Sequence, residues 1–418
     1  MSAAPTATPA SGPARPPKFA VLLVSLCVSA LLAAEAVRLV RDDRSIRAGA
    51  ADPWSDLAAA GESPRPALEP LDPDEPLPLR PWRREQAARV YPQLLEHGRV
   101  WKFDKLLGAQ RRPGARAFVK HQEHPDGGFE VAFNSRGHKD RELLEHADWR
   151  VVLTGDSQTE GVCGVEESFA QRLEARLRAS FQGRAVEVVN AGIGGSNPWT
   201  YLGVLETTED LRVDAFLPVF YGGNDFSGAV GLERVLRERG APNAAYRQDW
   251  RTLQPQLPVG LGPVELVQAT YFDRNPEDEA YAVAAWVSLA VEMERHCRAR
   301  GIAFRPVYMP PPIQGMPLGY AAERTALREQ APELLELIAV SDRLADAWIA
   351  ALQEHDIETI DLRAAFATET RKLHWVPDRH LNLQGQEVVT DALIGPLLQL
   401  ARLALEPVGV ETLAGPRE

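Results

Sequence analysis

Arg150-Val-Val-Leu-Thr-Gly-Asp-Ser-Gln-Thr-Glu-Gly161 is the stretch on which the reading of this chain turns. Val151, Val152 and Leu153 are β-formers in an unbroken apolar run, the pattern of a strand buried on both faces. The run meets Gly155 and then Ser157, so the strand stops abruptly and presents a hydroxyl at its C-terminal end. Open α/β sheets place their chemistry at that edge. In isolation, a serine that merely caps the following helix is the favoured reading. The decision rests with residues far away in the chain.

Outward from this stretch, strands and helices alternate from about residue 127. Strands are expected at 150–154, 185–190, 213–221, 303–309 and 357–362, each followed by a turn and a helical stretch. Phe169, Leu173, Leu177 and Phe181 recur at four-residue steps and put one apolar stripe on a helix lying against a sheet. Asn275-Pro276 opens a later helix and Gly301 closes it, with Trp286, Ala290, Met293 and Cys297 on one face. Helices of this length between strands imply βαβ units and a three-layer α/β/α sandwich with a parallel, flavodoxin-like central sheet. Residues 226–275 exceed an ordinary connection and are expected to form a lid or a cap.

Composition narrows the function classes. The 418 residues are 45% apolar and 25% charged, enough chain for one large domain with accessories. Asp and Glu outnumber Lys and Arg 58 to 46, a net charge of −12, so a phosphate backbone would be repelled and nucleic acid is not an expected partner. Three cysteines (Cys27, Cys163, Cys297) exclude a disulfide scaffold and lack the paired spacing of a zinc site, although a Cys163–Cys297 bridge stays open.

The N-terminal part divides into zones. Residues 1–18 read as a disordered tail, and 19–40 as a transmembrane helix or signal anchor built on the apolar run 19–37. A cleaved signal peptide is the competing reading, with Arg15 and Lys18 ahead of the run and Ala34-Glu35-Ala36 as the cleavage step. Leu26 before Cys27 argues against a lipoprotein signal. Arg38, Arg41, Arg44 and Arg47 outnumber the basic residues ahead of the run, a count that alone would put the bulk of the chain inside the cell. Residues 41–80 are rich in Pro and Ala and read as a stiff spacer. Residues 81–126 show only a short helical pattern around Glu85–Leu95, and the pair His121 and His124 reads as part of a solvated loop. The tail 406–418 follows the last helix.

Four short blocks carry the chemistry: Gly155-Asp156-Ser157-Gln158-Thr159, Asn190-Ala-Gly-Ile-Gly-Gly195-Ser196, Gly222-Gly223-Asn224-Asp225 and Pro377-Asp378-Arg379-His380-Leu381-Asn382. The first three directly follow expected strands, and the fourth enters the last helix, so all four meet at one edge of the sheet. In this set the chain resembles the SGNH (GDSL-type) hydrolases, whose blocks carry Ser, Gly, Asn and His in this order. The resemblance covers roughly residues 127–405. It implies Ser157 as nucleophile, Gly195 and Asn224 with Ser157 as oxyanion donors, His380 as base and Asp378 as orienting acid. Many members separate the acid and the histidine by two residues, whereas here only Arg379 intervenes. The segment Asn134-Ser-Arg-Gly-His-Lys-Asp-Arg-Glu142 also resembles one seen in membrane-anchored members.

The residue types suit that chemistry. A serine hydroxyl needs a positioned base, and the ordinary imidazole pKa of about 6.5 lies near working pH. An adjacent carboxylate fixes the imidazole tautomer, and N–H donors meet the developing oxyanion. Each position also has a plainer reading. Gly192, Gly194 and Gly195 would make a tight turn, Asp225 would be structural, and Asp361 would cap a helix or, alternatively, serve as triad acid. His374 would be incidental or form a wall, and His138 has no assigned chemistry.

The expected function is a membrane-anchored serine esterase, periplasmic or at the cell surface, acting on acyl esters, above all acetyl esters, of carbohydrate or lipid-like carriers. An O-acyltransferase acting on surface polysaccharide differs only in the acceptor, and a non-catalytic surface module that keeps the fold is the alternative from another class. Intact Ser157, Asn224 and His380 argue against the last. No cofactor and no metal are expected.

Overall fold

The computed structural model describes residues 68–77, 81–91, 93–236, 263–376 and 379–406. The expected tail 1–18, the expected transmembrane helix or signal anchor 19–40, most of the expected spacer, the centre of the expected lid (237–262), the end of the expected C-terminal tail and Asp378 lie outside the described residues.

The described chain begins on the domain. Leu68 and Leu77 are buried, and the Leu77 N–H donates to Glu292 Oε2 at 3.1 Å. Residues 68–77 therefore pack on the core, where the sequence suggested a free spacer, because their leucines have apolar surface to cover. Helix α1 (Arg84–Val90) follows. Strand β1 (Trp101–Asp104) pairs antiparallel with β2 (Gly108–Arg111), and β3 (Arg116–Lys120) with β4 (Gly128–Ala132). The second hairpin crosses residue 126, so the expected domain start at 127 falls between two paired strands.

The central sheet contains β5 (Trp149–Gly155), β6 (Val186–Asn190), β7 (Ala215–Tyr221), β8 (Ala303–Phe304), β9 (Val307–Met309) and β10 (Ile360–Asp361). Its order is β10-β9-β7-β5-β6 with β8 beside β7, and every pair is parallel. Counted from β5 this is the flavodoxin-like order 2-1-3-4-5. All seven residues of β5 and of β7 are buried, as strands covered on both faces require.

Helices cover both faces. Ser157 opens the short helix α2 (Ser157–Glu160), and α3 (Phe169–Ser180) buries Phe169, Leu173 and Leu177 against β6. Helices α4 (Pro198–Thr207), α5 (Asp225–Leu236), α6 (Pro263–Arg274), α7 (Asp278–Ala299) and α8 (Val340–Glu354) follow. Helix α7 buries Trp286, Ala290, Met293 and Cys297 and packs on α4, α5 and α8. Cys163 and Cys297 are both buried free thiols, so the bridge left open by the sequence is not formed. The long connection after β7 is helical at both ends, α5 and α6. The last helix, α9 (Leu383–Leu405), lies on α3 and buries Val389, Leu393, Leu397 and Ala401. Among the described residues it is the one helix long and apolar enough to cross a bilayer, yet its buried stripe serves the core.

Candidate active site

Parallel pairing brings the first three blocks together. The Leu153↔Asn190 and Gly155↔Val219 registers set β5, β6 and β7 side by side, with the serine turn between the other two loops. Ile193 N–H and Ser196 Oγ both donate to the Gly155 carbonyl at 3.0 Å, which ties the second block to the first. Gly155 admits no side chain: a Cβ there would lie 2.1 Å from Thr159 Oγ1 and 3.0 Å from the Val219 carbonyl oxygen.

The helix cap settles one competing reading. Asp156 is the N-cap of α2, its carboxylate accepting the Gln158 N–H at 2.8 Å. Ser157 is therefore the first helical residue, and its hydroxyl is not consumed in capping. His380 Nε2 lies 2.8 Å from Ser157 Oγ, across 223 residues of sequence. The Asp378 backbone and side chain fall outside the described residues. Asp361 is engaged elsewhere: its carboxylate accepts the Arg363 N–H at 3.0 Å and pairs with the Arg363 guanidinium, just ahead of a short helix (Arg363–Ala367) whose N-cap is Leu362.

The His380 loop is braced from α2. Gln158, itself buried, accepts the Leu381 N–H on Oε1 at 3.0 Å and donates from Nε2 to the Arg379 carbonyl at 3.2 Å. Arg379, directly before His380, has φ +63°, a left-handed conformation that costs a non-glycine residue about 1 kcal/mol or more. Asn382 then caps α9 through the Gln384 and Gly385 amides. His374 is buried near Tyr320 and Phe366.

Of the amides in the second block, most are taken. Gly192 N–H donates to Asn190 Oδ1, Ile193 to Gly155, Gly194 to Glu160 Oε2 at 2.9 Å, and Ser196 to Ile193. Gly195 is exposed, adopts φ +76°, and its N–H has no partner among the described residues. The Ser157 N–H likewise has no backbone partner there, and the Asn224 Oδ1 is buried without one.

The third block is held from below. Asp225 Oδ2 accepts the Tyr221 N–H at 3.0 Å and the Tyr201 hydroxyl at 2.7 Å, and Gln268 on α6 donates to the Gly222 carbonyl at 2.7 Å. Burial, reinforced by the Asp156 charge, pushes the Asp225 carboxyl well above the ordinary carboxylate range. Burial also pushes Asp156 up to about 6, against the opposing pull of the Gln158 amide and of His380. Asp225 is structural, as the plainer reading had it.

The N-terminal segment contributes what the sequence did not disclose. His121 and His124 do not lie in a solvated loop: both are buried against Trp375, with ring centroids 4.5 and 6.2 Å away, and against Phe129. Trp375 Nε1 donates to the Val162 carbonyl and Val376 N–H to Glu123, so this loop underlies the His380 loop. In the Asn134–Glu142 segment, Lys139 Nζ donates to the Gly161 and Cys163 carbonyls at 2.6 Å, and Asp140 accepts the Asn190 N–H at 2.7 Å. His138 is buried structure, its imidazole pushed down to about 4 by burial and then by the Arg136 charge. Among the described residues no group of three or more His, Cys, Asp or Glu is arranged to hold a metal ion.

Comparison with known proteins adds the family. Residues 153–388 match the GDSL-like lipase/acylhydrolase family. No curated protein matches the chain. Among solved structures, a catalytic mutant of an acetylxylan esterase from Geobacillus stearothermophilus is 13% identical, covering 60% of this chain and 95% of its own at a TM-score of 0.34. TesA is 14% identical, with coverage of 60% and 99% and a TM-score of 0.34. A lipase/acylhydrolase from Enterococcus faecalis is 17% identical, with coverage of 60% and 96% and a TM-score of 0.29.

Proposed function

The chain belongs to the GDSL-like lipase/acylhydrolase family and is an ester hydrolase, and we propose that it works through an acyl-enzyme on Ser157, with His380 as base and Asp378 as orienting acid. The observation that carries this reading is the 2.8 Å approach of His380 Nε2 to Ser157 Oγ. In the first step the Ser157 Oγ proton passes to His380 Nε2 as the oxygen attacks the ester carbonyl. The oxyanion is received by the N–H groups of Ser157 and Gly195 and by the Asn224 amide, each worth on the order of 3 kcal/mol in the transition state. Collapse returns the proton from His380 to the departing alkoxide, and water then repeats the sequence to release the acid. Asp378, two residues before His380, would stabilise the imidazolium.

The proposed substrates are acyl esters, acetyl in the first place, on carbohydrate or lipid-like carriers. A half-buried Ser157 beside an exposed Gly195 is an open arrangement, which suits a small acyl group on a large carrier. The proposed setting is a single-pass membrane tether over 19–40, a spacer, and a catalytic domain, with its hydrolase-like part at about 127–405, facing the periplasm or the cell surface. The apolar run 19–37 supports it. Hydrolysis of p-nitrophenyl esters of graded chain length tests the chemistry: the expected result is kcat/KM falling from acetate upward, and no release above background would sink the reading. Protease protection on intact cells tests the setting, where a shielded domain would contradict it.

A further inference from the structure

The face of α2 opposite the His380 loop carries a second brace, reaching the oxyanion loop. Glu160 is buried, and its carboxylate meets Arg111 in a bidentate pair, Nε to Oε1 at 2.7 Å and Nη2 to Oε2 at 2.8 Å. The same Oε2 accepts the Gly194 N–H at 2.9 Å. Arg111 belongs to β2 of the first hairpin, and its guanidinium lies 3.6 Å from the centroid of Trp101 on the paired strand and 5.1 Å from that of Phe133. The contact is tight: a Cβ at Gly194 would lie 2.5 Å from Glu160 Oε2 and 3.3 Å from Arg111 Nη2.

Physically, a buried carboxylate is retained only with a partner, and a planar guanidinium stacked on an indole supplies two N–H groups in a fixed fork. That fork orients Oε2 toward the backbone. Holding the Gly194 N–H fixes the Ile193–Gly194 peptide, one unit before the Gly194–Gly195 peptide that carries the Gly195 N–H. We infer that Arg111 and Glu160 are positioning residues for the oxyanion loop, so that the hairpin preceding the hydrolase fold completes the site. Neither residue touches the reacting atoms. Their effect is exerted on where the Gly195 N–H points when charge develops on the carbonyl oxygen. The inference rests on the reading of Ser157 and Gly195 given above.

Steady-state kinetics on Arg111→Met, Arg111→Lys, Glu160→Ala and the Arg111→Met/Glu160→Ala pair, normalised to active sites titrated with a fluorophosphonate, test it. A misplaced donor predicts a fall in kcat of about 10- to 100-fold with KM within about twofold of wild type. Affinity for an arylboronic acid, which forms a tetrahedral adduct on the serine, should fall in parallel. The double variant should be no worse than the worse single one, because both act through one relay. Arg111→Lys keeps the charge but not the fork, and should lie between Arg111→Met and wild type. Equal kcat per titrated site, losses that multiply in the double variant, or a rise in KM alone would each overturn the relay. If instead Ser157→Ala keeps full activity, it is the nucleophile assignment that fails.

Discussion

Gln158 grips the peptide units on both sides of His380, accepting the Leu381 N–H at 3.0 Å and donating to the Arg379 carbonyl at 3.2 Å. The side chain next to the proposed nucleophile thereby sets the height of the proposed base. Removing it leaves a buried carbonyl and amide unpaired and lets the left-handed turn at Arg379 relax. Gln158→Ala is expected to lower kcat by about 10²-fold at nearly constant KM. Gln158→Glu, which can accept but not donate at neutral pH, should be comparably impaired. Active-site-normalised kinetics check both.

Asn224 is the only proposed oxyanion donor that can be removed by side-chain substitution. Its buried Oδ1 has no hydrogen-bond partner among the described residues, so loss of the side chain should leave packing intact. Asn224→Ala is expected to lower kcat by about 10²- to 10³-fold, with the melting temperature within a few degrees of wild type. A large drop in stability with unchanged kcat would point to a structural role instead.

His138 makes a pH prediction. Its folded-state pKa is depressed from 6.5 to about 4, so it binds no proton in the native state where the unfolded chain does. The associated stability is fully present above about pH 6.5 and is lost as pH falls toward 4, roughly 3 kcal/mol in all. His138→Met, apolar and of similar length, is expected to flatten that part of the stability profile. Urea unfolding of both proteins between pH 7 and pH 4 measures the difference, and parallel profiles would contradict it.

Trp375 joins the His121–His124 loop to the His380 loop. Trp375→Ala should destabilise by about 3–5 kcal/mol through the cavity it leaves. Trp375→Phe keeps most of the ring and loses the bond to Val162, about 1 kcal/mol. Chemical denaturation orders the two.

How far the chain could be read depends on how local each signal is. The run Val151–Leu153 is apolar on both faces and β-branched, so its strand and the abrupt stop at Gly155 were legible. The alternating helices gave the parallel sheet, and the stripe Phe169-Leu173-Leu177 gave the face of α3 that packs. The order of four blocks anticipated that Ser157 and His380 would meet. What remained hidden is non-local. Strands β1–β4 are four or five residues long, and β3 is mostly exposed, so they carry neither clean alternation nor a buried run. His121 and His124 look polar because the ring that buries them, Trp375, comes some 250 residues later. Arg111, Gln158 and Glu160 act on partners whose identity only the fold supplies. Asp156 displaced Ser157 as the helix cap, a choice between adjacent residues that propensity does not decide.

The most direct test of the account is labelling with a fluorophosphonate probe, followed by peptide mass mapping. The expected result is one stoichiometric adduct on Ser157 in wild type, abolished in Ser157→Ala and slowed by about 10³-fold or more in His380→Ala, with loss of ester hydrolysis in step. An adduct on another residue, or Ser157→Ala labelling and hydrolysing ester as fast as wild type, would contradict it.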